Sequence, residues 1–261
     1  MNRRGRFVIL LSVLSAALLS LGGLGADPGR LSAQAAQERS ASETRFQPVA
    51  QIGGAISGVA VVGRHAYIDR GRRLEVLDIS DPTAPKTLGI SAPLPARAKV
   101  VAAADGQVVL VEHIGQVSGP AGRLLVVDVT RPAAPRLRGS LDLGGHSLRK
   151  VAWRDGLLYA AAARSGLLVL DVRHPDHPRF LGAVDTDLPA EGLALAGEHL
   201  LLAVGRGSGE GGLRVFTLTD PSHPALLAAL DVGQDAHAVA AVGRYALLAT
   251  WEQLLAVDLL D

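Results

Sequence analysis

The strongest constraint on this chain is a repeated phrase in which an apolar run is followed by aspartate and a pair of prolines. Four copies align: LEVLDISDPTAP (74–85), LLVVDVTRPAAP (124–135), LLVLDVRHPDHP (167–178) and LRVFTLTDPSHP (213–224). A fifth copy, LLAVDLLD (254–261), begins the phrase and stops before its prolines. The first prolines of the four complete copies are spaced 50, 43 and 46 residues apart. A period of this size predicts a repeat architecture in which each copy is one supersecondary unit.

A second phrase precedes each copy and consists of two short apolar runs split by Gly or Asp-Gly, as in GVAVVGRHAYI (58–68) and KVAWRDGLLYAA (150–161). This is the chemistry of a tight hairpin turn. The runs are too short for helices and suit buried strands. Another short run follows each pair of prolines, as in PRLRGSL (135–141). We therefore predict an all-β fold, a five-bladed β-propeller whose blades each contain four antiparallel strands.

These phrases resemble the LVIVD repeat family, which is named for its Leu-Val-Ile-Val-Asp strand, and the resemblance extends over residues 47–261. It implies a β-propeller, often in exported or surface proteins, with no established general activity and no catalytic residues to carry over. The chain departs from the pattern at Thr217, where Asp78, Asp128 and Asp171 occupy the equivalent position. We interpret these aspartates as turn residues that accept hydrogen bonds from backbone N–H groups.

The two ends of the repeat region are complementary. The fifth copy lacks its last strand, whereas residues 47–53 (QPVAQIG) match the outer-strand phrase, with Pro48 in the place of the second proline. We predict that this N-terminal strand completes the last blade and closes the ring. Closure would remove an exposed strand edge that otherwise favours aggregation.

The N-terminus has the pattern of a targeting segment. A basic stretch at residues 2–6 precedes an almost unbroken apolar run at residues 7–26, and Ala33-Gln34-Ala35 offers a cleavage site. This pattern is typical of a secretory signal, although the same run is long enough to remain as a membrane anchor. Either alternative predicts a secreted, periplasmic or cell-surface protein. The predicted organisation is a signal peptide or anchor at 1–35, a polar linker at 36–46 and the propeller at 47–261.

Composition excludes several classes of function. The chain has no cysteine, which excludes disulfides, Cys-based zinc sites and thiol catalysis. A net charge of +1 provides no basic field for nucleic acid. His174 and His177 lie in a proline-bounded turn in which their imidazoles need not converge, and the acidic stretch from Asp185 to Glu191 lacks the glycine of a calcium loop. We expect no metal, no cofactor and no nucleic-acid partner.

One polar residue stands at the start of each predicted inner strand, three residues ahead of an alanine that recurs in all five copies. Its chemistry differs from blade to blade, whereas the residue two positions later is always apolar. We expect these side chains to surround one mouth of the channel and to form a ligand site, the alternative being that strand starts simply face solvent. The five residues are Ser57, Lys99, Arg149, Glu191 and His237.

The predicted function is that of a non-enzymatic binding or interaction scaffold outside the cytoplasm. The expected partner is an envelope or extracellular protein, a polymer or a small polar ligand, and the expected state is a single copy that touches a membrane only through an uncleaved N-terminal segment. The alternative is a glycosidase-like hydrolase at the channel mouth, which needs two carboxylates. Glu191 and Asp235 are the candidates, but only 2 Trp and 3 Tyr exist to form sugar-binding walls.

Overall fold

Short antiparallel strands form all the regular structure described for this chain. The structure is a computed structural model, and it describes residues 48–53, 55–113, 121–205, 207 and 209–259. The chain divides into two units, Met1–Pro48 and Val49–Asp261, and the fold below belongs to the second. The predicted targeting segment and linker lie outside the described residues.

Nineteen strands follow one another within the described residues. The first ten are β1 (Val59–Val62), β2 (His65–Arg70), β3 (Arg73–Asp78), β4 (Lys86–Ile90), β5 (Ala98–Ala104), β6 (Gln107–His113), β7 (Ala121–Asp128), β8 (Arg136–Asp142), β9 (Lys150–Arg154) and β10 (Leu157–Ala161). The remainder are β11 (Leu167–Asp171), β12 (Arg179–Val184), β13 (Ala190–Ala196), β14 (His199–Gly205), β15 (Gly211–Thr217), β16 (Ala225–Asp231), β17 (Ala236–Val242), β18 (Tyr245–Thr250) and β19 (Leu254–Asp258).

The strands form five sheets in chain order. Four sheets have four strands each, β1–β4, β5–β8, β9–β12 and β13–β16, and the fifth has three, β17–β19. The same β-bulge lies between the third and fourth strands of every four-stranded sheet, as between Val76 and Leu77 or Val126 and Val127. The predicted all-β class of four-stranded repeats is thus confirmed for four sheets. Within the described residues, no helix is long and apolar enough to cross a membrane.

The predicted hairpins are present where Asp-Gly or Gly separates two apolar runs. Asp105 and Asp155 have φ of 50°, and the glycines after them also have positive φ. Each pair is the two-residue loop of a hairpin, because Ala104 pairs with Gln107 and Arg154 with Leu157. Such loops need left-handed backbone at both positions, which Asp and Gly tolerate best.

The repeated aspartates cap the turns that follow β3, β7 and β11, as predicted. Oδ1 of Asp128 accepts hydrogen bonds from the backbone N–H of Thr130 at 2.9 Å and from its hydroxyl at 2.6 Å. Asp78 binds Ser80 in the same way, and Asp171 accepts the N–H of Arg173. The hydroxyl of Thr130, followed by its N–H, holds the pKa of Asp128 below its usual value. These carboxylates accept hydrogen bonds within their own turns. They therefore stabilise the turns and do not form a ring of acidic ligands.

Adjacent sheets pack face to face, with one apolar cluster at each of four interfaces. Tyr67 and Val127 belong to the cluster between the first and second sheets, and Val109 and Leu158 to the next. Corresponding clusters lie between the third and fourth sheets and between the fourth and fifth. Burial of these side chains is the main favourable term that holds consecutive sheets together.

Glycines in the outer strands allow close approach to the proline turn of the next sheet. A Cβ on Gly89 would collide with the backbone of Pro132 and Ala133, and a Cβ on Gly139 with that of Pro175 and Asp176. The turn of the fourth sheet is held differently, since the hydroxyl of Tyr159 donates to the carbonyl of Pro221 at 2.8 Å. The proline turns therefore join neighbouring sheets as well as strands within one sheet.

The first and fifth sheets each leave one apolar face without a neighbouring sheet in the described residues. Val59 and Val61 on β1 are 63% and 57% exposed. On the fifth sheet the face opposite the packed one carries Val242, Leu254 and Leu247, which lie together because of the strand register. Leu254 is 63% exposed. In the other sheets the equivalent faces are buried against neighbours.

The predicted closing strand is not seen as a strand. Residues 48–53 form no described pairing, and the fifth sheet has no fourth strand beside β19 among the described residues. Instead Ile52 packs against Ala66, Ile68 and Leu77 of the first sheet, and the carbonyl of Gly53 accepts a hydrogen bond from the Arg70 guanidinium at 2.6 Å. Ring closure and the number of blades therefore stay predictions.

Candidate functional site

A polar cavity of about 560 Å³ lies where strand starts and turns of the third, fourth and fifth sheets come together. Its size falls within the range of ligand pockets. Three of the predicted channel-mouth residues line it: Arg149, Glu191 and His237. Arg164, Asp235 and Trp251 also line it, together with His146, Ser147 and Ser165.

Two β-bulges position Glu191 and His237. The register of β13 against β14 shifts between Ala190 and Gly192, so Glu191 is the extra residue. The same shift between Ala236 and Ala238 makes His237 the extra residue of β17. A bulge leaves one residue unpaired and redirects its side chain, which explains why both residues line the cavity at the start of their strands.

An ion pair crosses the cavity wall from the third sheet to the fourth. Nε of Arg149 lies 3.3 Å from Oε2 of Glu191, and the two side chains are 50% and 29% exposed. Water screens a pair this exposed, so its net contribution to stability is small. The pair nevertheless balances one cation against one anion. Among the described residues Arg164 makes no ion pair, so its guanidinium can bind an anionic group, although the lining as a whole, with Asp235, carries as many carboxylates as guanidinium groups.

Asp235 is a buried carboxylate that organises the loop after β14. Its oxygens accept hydrogen bonds from the backbone N–H groups of Gly207 at 2.8 Å and Gly209 at 3.2 Å. A Cβ on Gly205 would press on Asp235, so the glycine permits the close approach. The carboxylate is therefore a structural anchor of the cavity wall, and its acceptor capacity is largely used.

His237 and Trp251 form the side of the cavity that belongs to the fifth sheet. Their ring centroids are 3.9 Å apart and the rings are tilted by 60°. Nε2 of His237 is buried and has no hydrogen-bond partner among the described residues. A buried polar atom without a partner costs about 1–3 kcal/mol. Trp251 is 79% exposed, which leaves a large apolar surface at the rim.

The turn after β10 forms the side of the cavity that belongs to the third sheet. Ala163 has φ of 47°, a strained value for a residue with a Cβ. Two backbone hydrogen bonds of 2.9 Å with Ala190 hold it there and join the third sheet to the fourth. Nδ1 of His146 lies 2.6 Å from Oγ of Ser165, so the histidine is fixed against the same turn.

The other two predicted residues, Ser57 and Lys99, line a separate cavity of about 110 Å³ with Asp69. Asp69 is 3% exposed and accepts hydrogen bonds from Ser57 Oγ at 2.6 Å and from the N–H of Val100 at 3.3 Å. The structure thus brings together three of the five predicted residues at one site and two at another. In β5 the bulge lies at Val101, two positions later in the repeat than at Glu191 or His237.

Sequence reasoning missed His146, Arg164 and Trp251. For Arg164 and Trp251 the signal was available, because the turn between the second and third strands of a blade lies at the same edge as the start of the inner strand. Turn residues must therefore lie beside the predicted polar residues. Asp187, considered for a calcium loop, instead pairs with the buried Arg214 at 3.0 Å. No group of metal-ligating side chains occurs in the part of the chain that the structure describes.

Comparisons with known proteins identify the repeat but not an activity. The LVIVD repeat model matches residues 53–91 and 147–186, and each match contains all strands of one sheet, the first and the third. No curated protein sequence matches the chain.

Two solved structures resemble the chain at low sequence identity. The crystal structure of a functionally unknown protein from Desulfotomaculum acetoxidans has a TM-score of 0.60 and 12% identity, over 77% of this chain and 64% of that one. This chain thus spans less than two thirds of that protein. The computationally designed Ika8 protein has a TM-score of 0.48 and 11% identity, over 79% of this chain and 71% of its own. The first likeness concerns the fold alone. The family resemblance predicted from the repeated phrases is confirmed at residues 53–91 and 147–186, where the chain carries LVIVD repeats.

Proposed function

We propose that this protein is a non-enzymatic binding scaffold that holds a polar ligand in the cavity between its third, fourth and fifth sheets. The observation that carries the proposal is the composition of the cavity. Its lining contains a balanced ion pair and an exposed tryptophan, and, among the described residues, an arginine without an ion pair and an imidazole nitrogen without a hydrogen-bond partner. Such a set supplies oriented polar contacts together with an apolar surface, as ligand pockets do.

The hydrolase alternative is less well supported. Glu191 and Asp235 do line the same cavity, as a pair of glycosidase carboxylates would. However, Asp235 accepts two backbone N–H groups and Glu191 is paired with Arg149. Both carboxylates therefore take part in contacts that hold the cavity wall, which favours a binding role for them over that of proton donor and nucleophile.

The binding function is tested by a thermal-shift and calorimetric panel on the full chain. We expect at least one member of a panel of small carboxylates, neutral sugars and sugar acids to bind, and we expect His237→Leu to lose that binding. Lys99→Ala is the matched control, because Lys99 lines the other cavity. A panel without any binder, or binding that survives His237→Leu, would refute the proposed site.

We further propose that the protein works outside the cytoplasm. The basic stretch and apolar run of residues 2–26 support export. Deletion of residues 1–35 is expected to retain the protein in the cytoplasm, because the export machinery would have no segment to recognise. Fractionation of producing cells measures this, and the mass of the exported form distinguishes cleavage from anchoring. Unchanged export of the deleted chain would contradict the proposal.

We also propose that the five sheets are the five blades of a closed ring. The repeat supports this, because the exposed face of the fifth sheet corresponds to the face of the first sheet that packs on the second. Ala240 and Ala60 are equivalent by register, opposite Leu247 and Tyr67. The exposed face with Val59 and Val61 corresponds to the face of the fifth sheet that packs on the fourth, with Val239 and Ala241. The two terminal faces are therefore the two halves of one repeated interface.

A further inference from the structure

We propose that the ligand of this cavity is an acidic sugar, whose ring lies on Trp251 and whose carboxylate is bound by Arg164. This inference rests on the proposed binding function and narrows it to one class of ligand. It joins three features of the cavity: the exposed indole and, within the described part of the chain, a guanidinium without an ion pair and an imidazole nitrogen without a hydrogen-bond partner.

The indole of Trp251 is presented on a rigid turn. Oγ1 of Thr250 accepts the backbone N–H groups of Glu252 at 3.3 Å and Gln253 at 3.1 Å and donates to Gln234 at 2.7 Å. The backbone N–H of Thr250 also donates to the carbonyl of Gln253 at 2.9 Å. A flat apolar surface held in this way loses little entropy on binding. It suits the apolar face of a pyranose ring, whose C–H groups pack on an aromatic face while its hydroxyls stay polar.

The guanidinium of Arg164 favours one anionic group on that sugar. Arg149 and Glu191 neutralise each other, and Asp235 is held by glycine N–H groups. Arg164 is exposed and lies beyond 4 Å of any described carboxylate oxygen, although Asp187 lines an adjoining cavity with it. A guanidinium binds a carboxylate through two parallel hydrogen bonds. One carboxylate of the ligand would therefore pair with Arg164.

The remaining polar groups suit hydroxyls. Nε2 of His237 is buried without a partner in the described residues and lines the same cavity. Ser147 and Ser165 add hydroxyls that donate and accept. A sugar hydroxyl has the same dual capacity, so it can pair with either serine. The volume of about 560 Å³ accommodates a short oligosaccharide.

The test is isothermal titration calorimetry of the full chain with three probes: trigalacturonate, a neutral galactotriose and acetate. We expect trigalacturonate to bind at least about tenfold more tightly than galactotriose, since a charge-assisted bidentate contact is worth more than a neutral one. We expect Trp251→Ala to weaken the binding of trigalacturonate about tenfold. Arg164→Gln should remove the preference for the acidic sugar while leaving the affinity for galactotriose unchanged. Trp153→Phe, a substitution outside the cavity, is the matched control and should bind like the wild type.

Each other outcome overturns the inference. Equal binding of the acidic and neutral sugars, or no effect of Arg164→Gln, refutes recognition of the carboxylate. Binding of acetate as tight as trigalacturonate refutes a role for the sugar ring. If no sugar binds but another member of the panel does so in a His237-dependent manner, the sugar class is wrong and the binding function stands. If nothing in the panel binds, both proposals fail.

Discussion

Replacing Gly139 with alanine is expected to destabilise the protein by about 3 kcal/mol, the upper end of the usual cost of overpacking. The added Cβ would lie far inside van der Waals contact with the carbonyl oxygen of Pro175 and 2.9 Å from the carbonyl carbon of Asp176. Both partners are backbone atoms of a proline turn, so they cannot rotate away as a side chain would. Urea unfolding of the full chain measures the loss as a lower midpoint at unchanged slope.

Gly182→Ala is the matched control. Gly182 occupies the same position of the repeat, opposite the same bulge, yet a Cβ there meets no atom within 4 Å. Alanine at this position should be neutral or slightly stabilising, because it restricts the unfolded chain. Similar losses for both variants would show that the proline turns do not pack closely against the outer strand of the preceding sheet.

Replacing Leu254 with glutamate is expected to lower the free energy of unfolding by about 3 kcal/mol or more if the ring is closed as proposed. Closure would bury this face of the fifth sheet against the first, and an unpaired carboxylate there would carry a large desolvation cost. Thermal unfolding should then occur roughly 6–12 °C lower.

Leu227→Glu provides the control, since Leu227 is 56% exposed on the outer strand β16 while Leu254 is 63% exposed. Only Leu254 lies on the face that closure would cover. Equal, small effects for the two variants would contradict closure. If Leu254→Glu is destabilising only at high protein concentration, a second copy covers the face instead, and the intramolecular ring is refuted.

Local features of this fold could be predicted from the sequence because they depend on residues that are close together in the chain. The hairpins at Asp105 and Asp155 follow from turn chemistry, and the aspartate caps at Asp78 and Asp128 need only residues two positions ahead. The division into four-stranded sheets follows from the proline spacing, because proline ends pairing at fixed points of each repeat.

The candidate site was predictable only in part, because its geometry depends on strand register. The polar residue at each strand start is visible in the sequence, and the structure places Arg149, Glu191 and His237 at one cavity. The bulges that direct Glu191 and His237 are not visible, since a register shift depends on the partner strand. Lys99 precedes its bulge, lies on a regular pair with Val111 and so lines another cavity.

The absence of a described strand pairing at residues 48–53 shows a second limit of prediction from sequence. A strand phrase predicts the capacity to pair, but the choice of partner depends on contacts between the two ends of a chain with more than 200 residues between them. In the structure Ile52 packs against apolar residues of the first sheet, which is the sheet nearest to it in the sequence. Long-range closure must compete with such local contacts, and its entropic cost grows with the separation.

The measurement that tests the central claim most directly is the fluorescence of Trp251 during ligand binding. The chain has two tryptophans, so Trp153→Phe leaves Trp251 as the single reporter at the rim of the cavity. Titration of the full-length variant with trigalacturonate should give a saturable blue shift, because the bound ring removes water from the indole, and its midpoint should equal the calorimetric dissociation constant. An emission spectrum that stays unchanged while calorimetry records binding would place the ligand elsewhere and contradict the account.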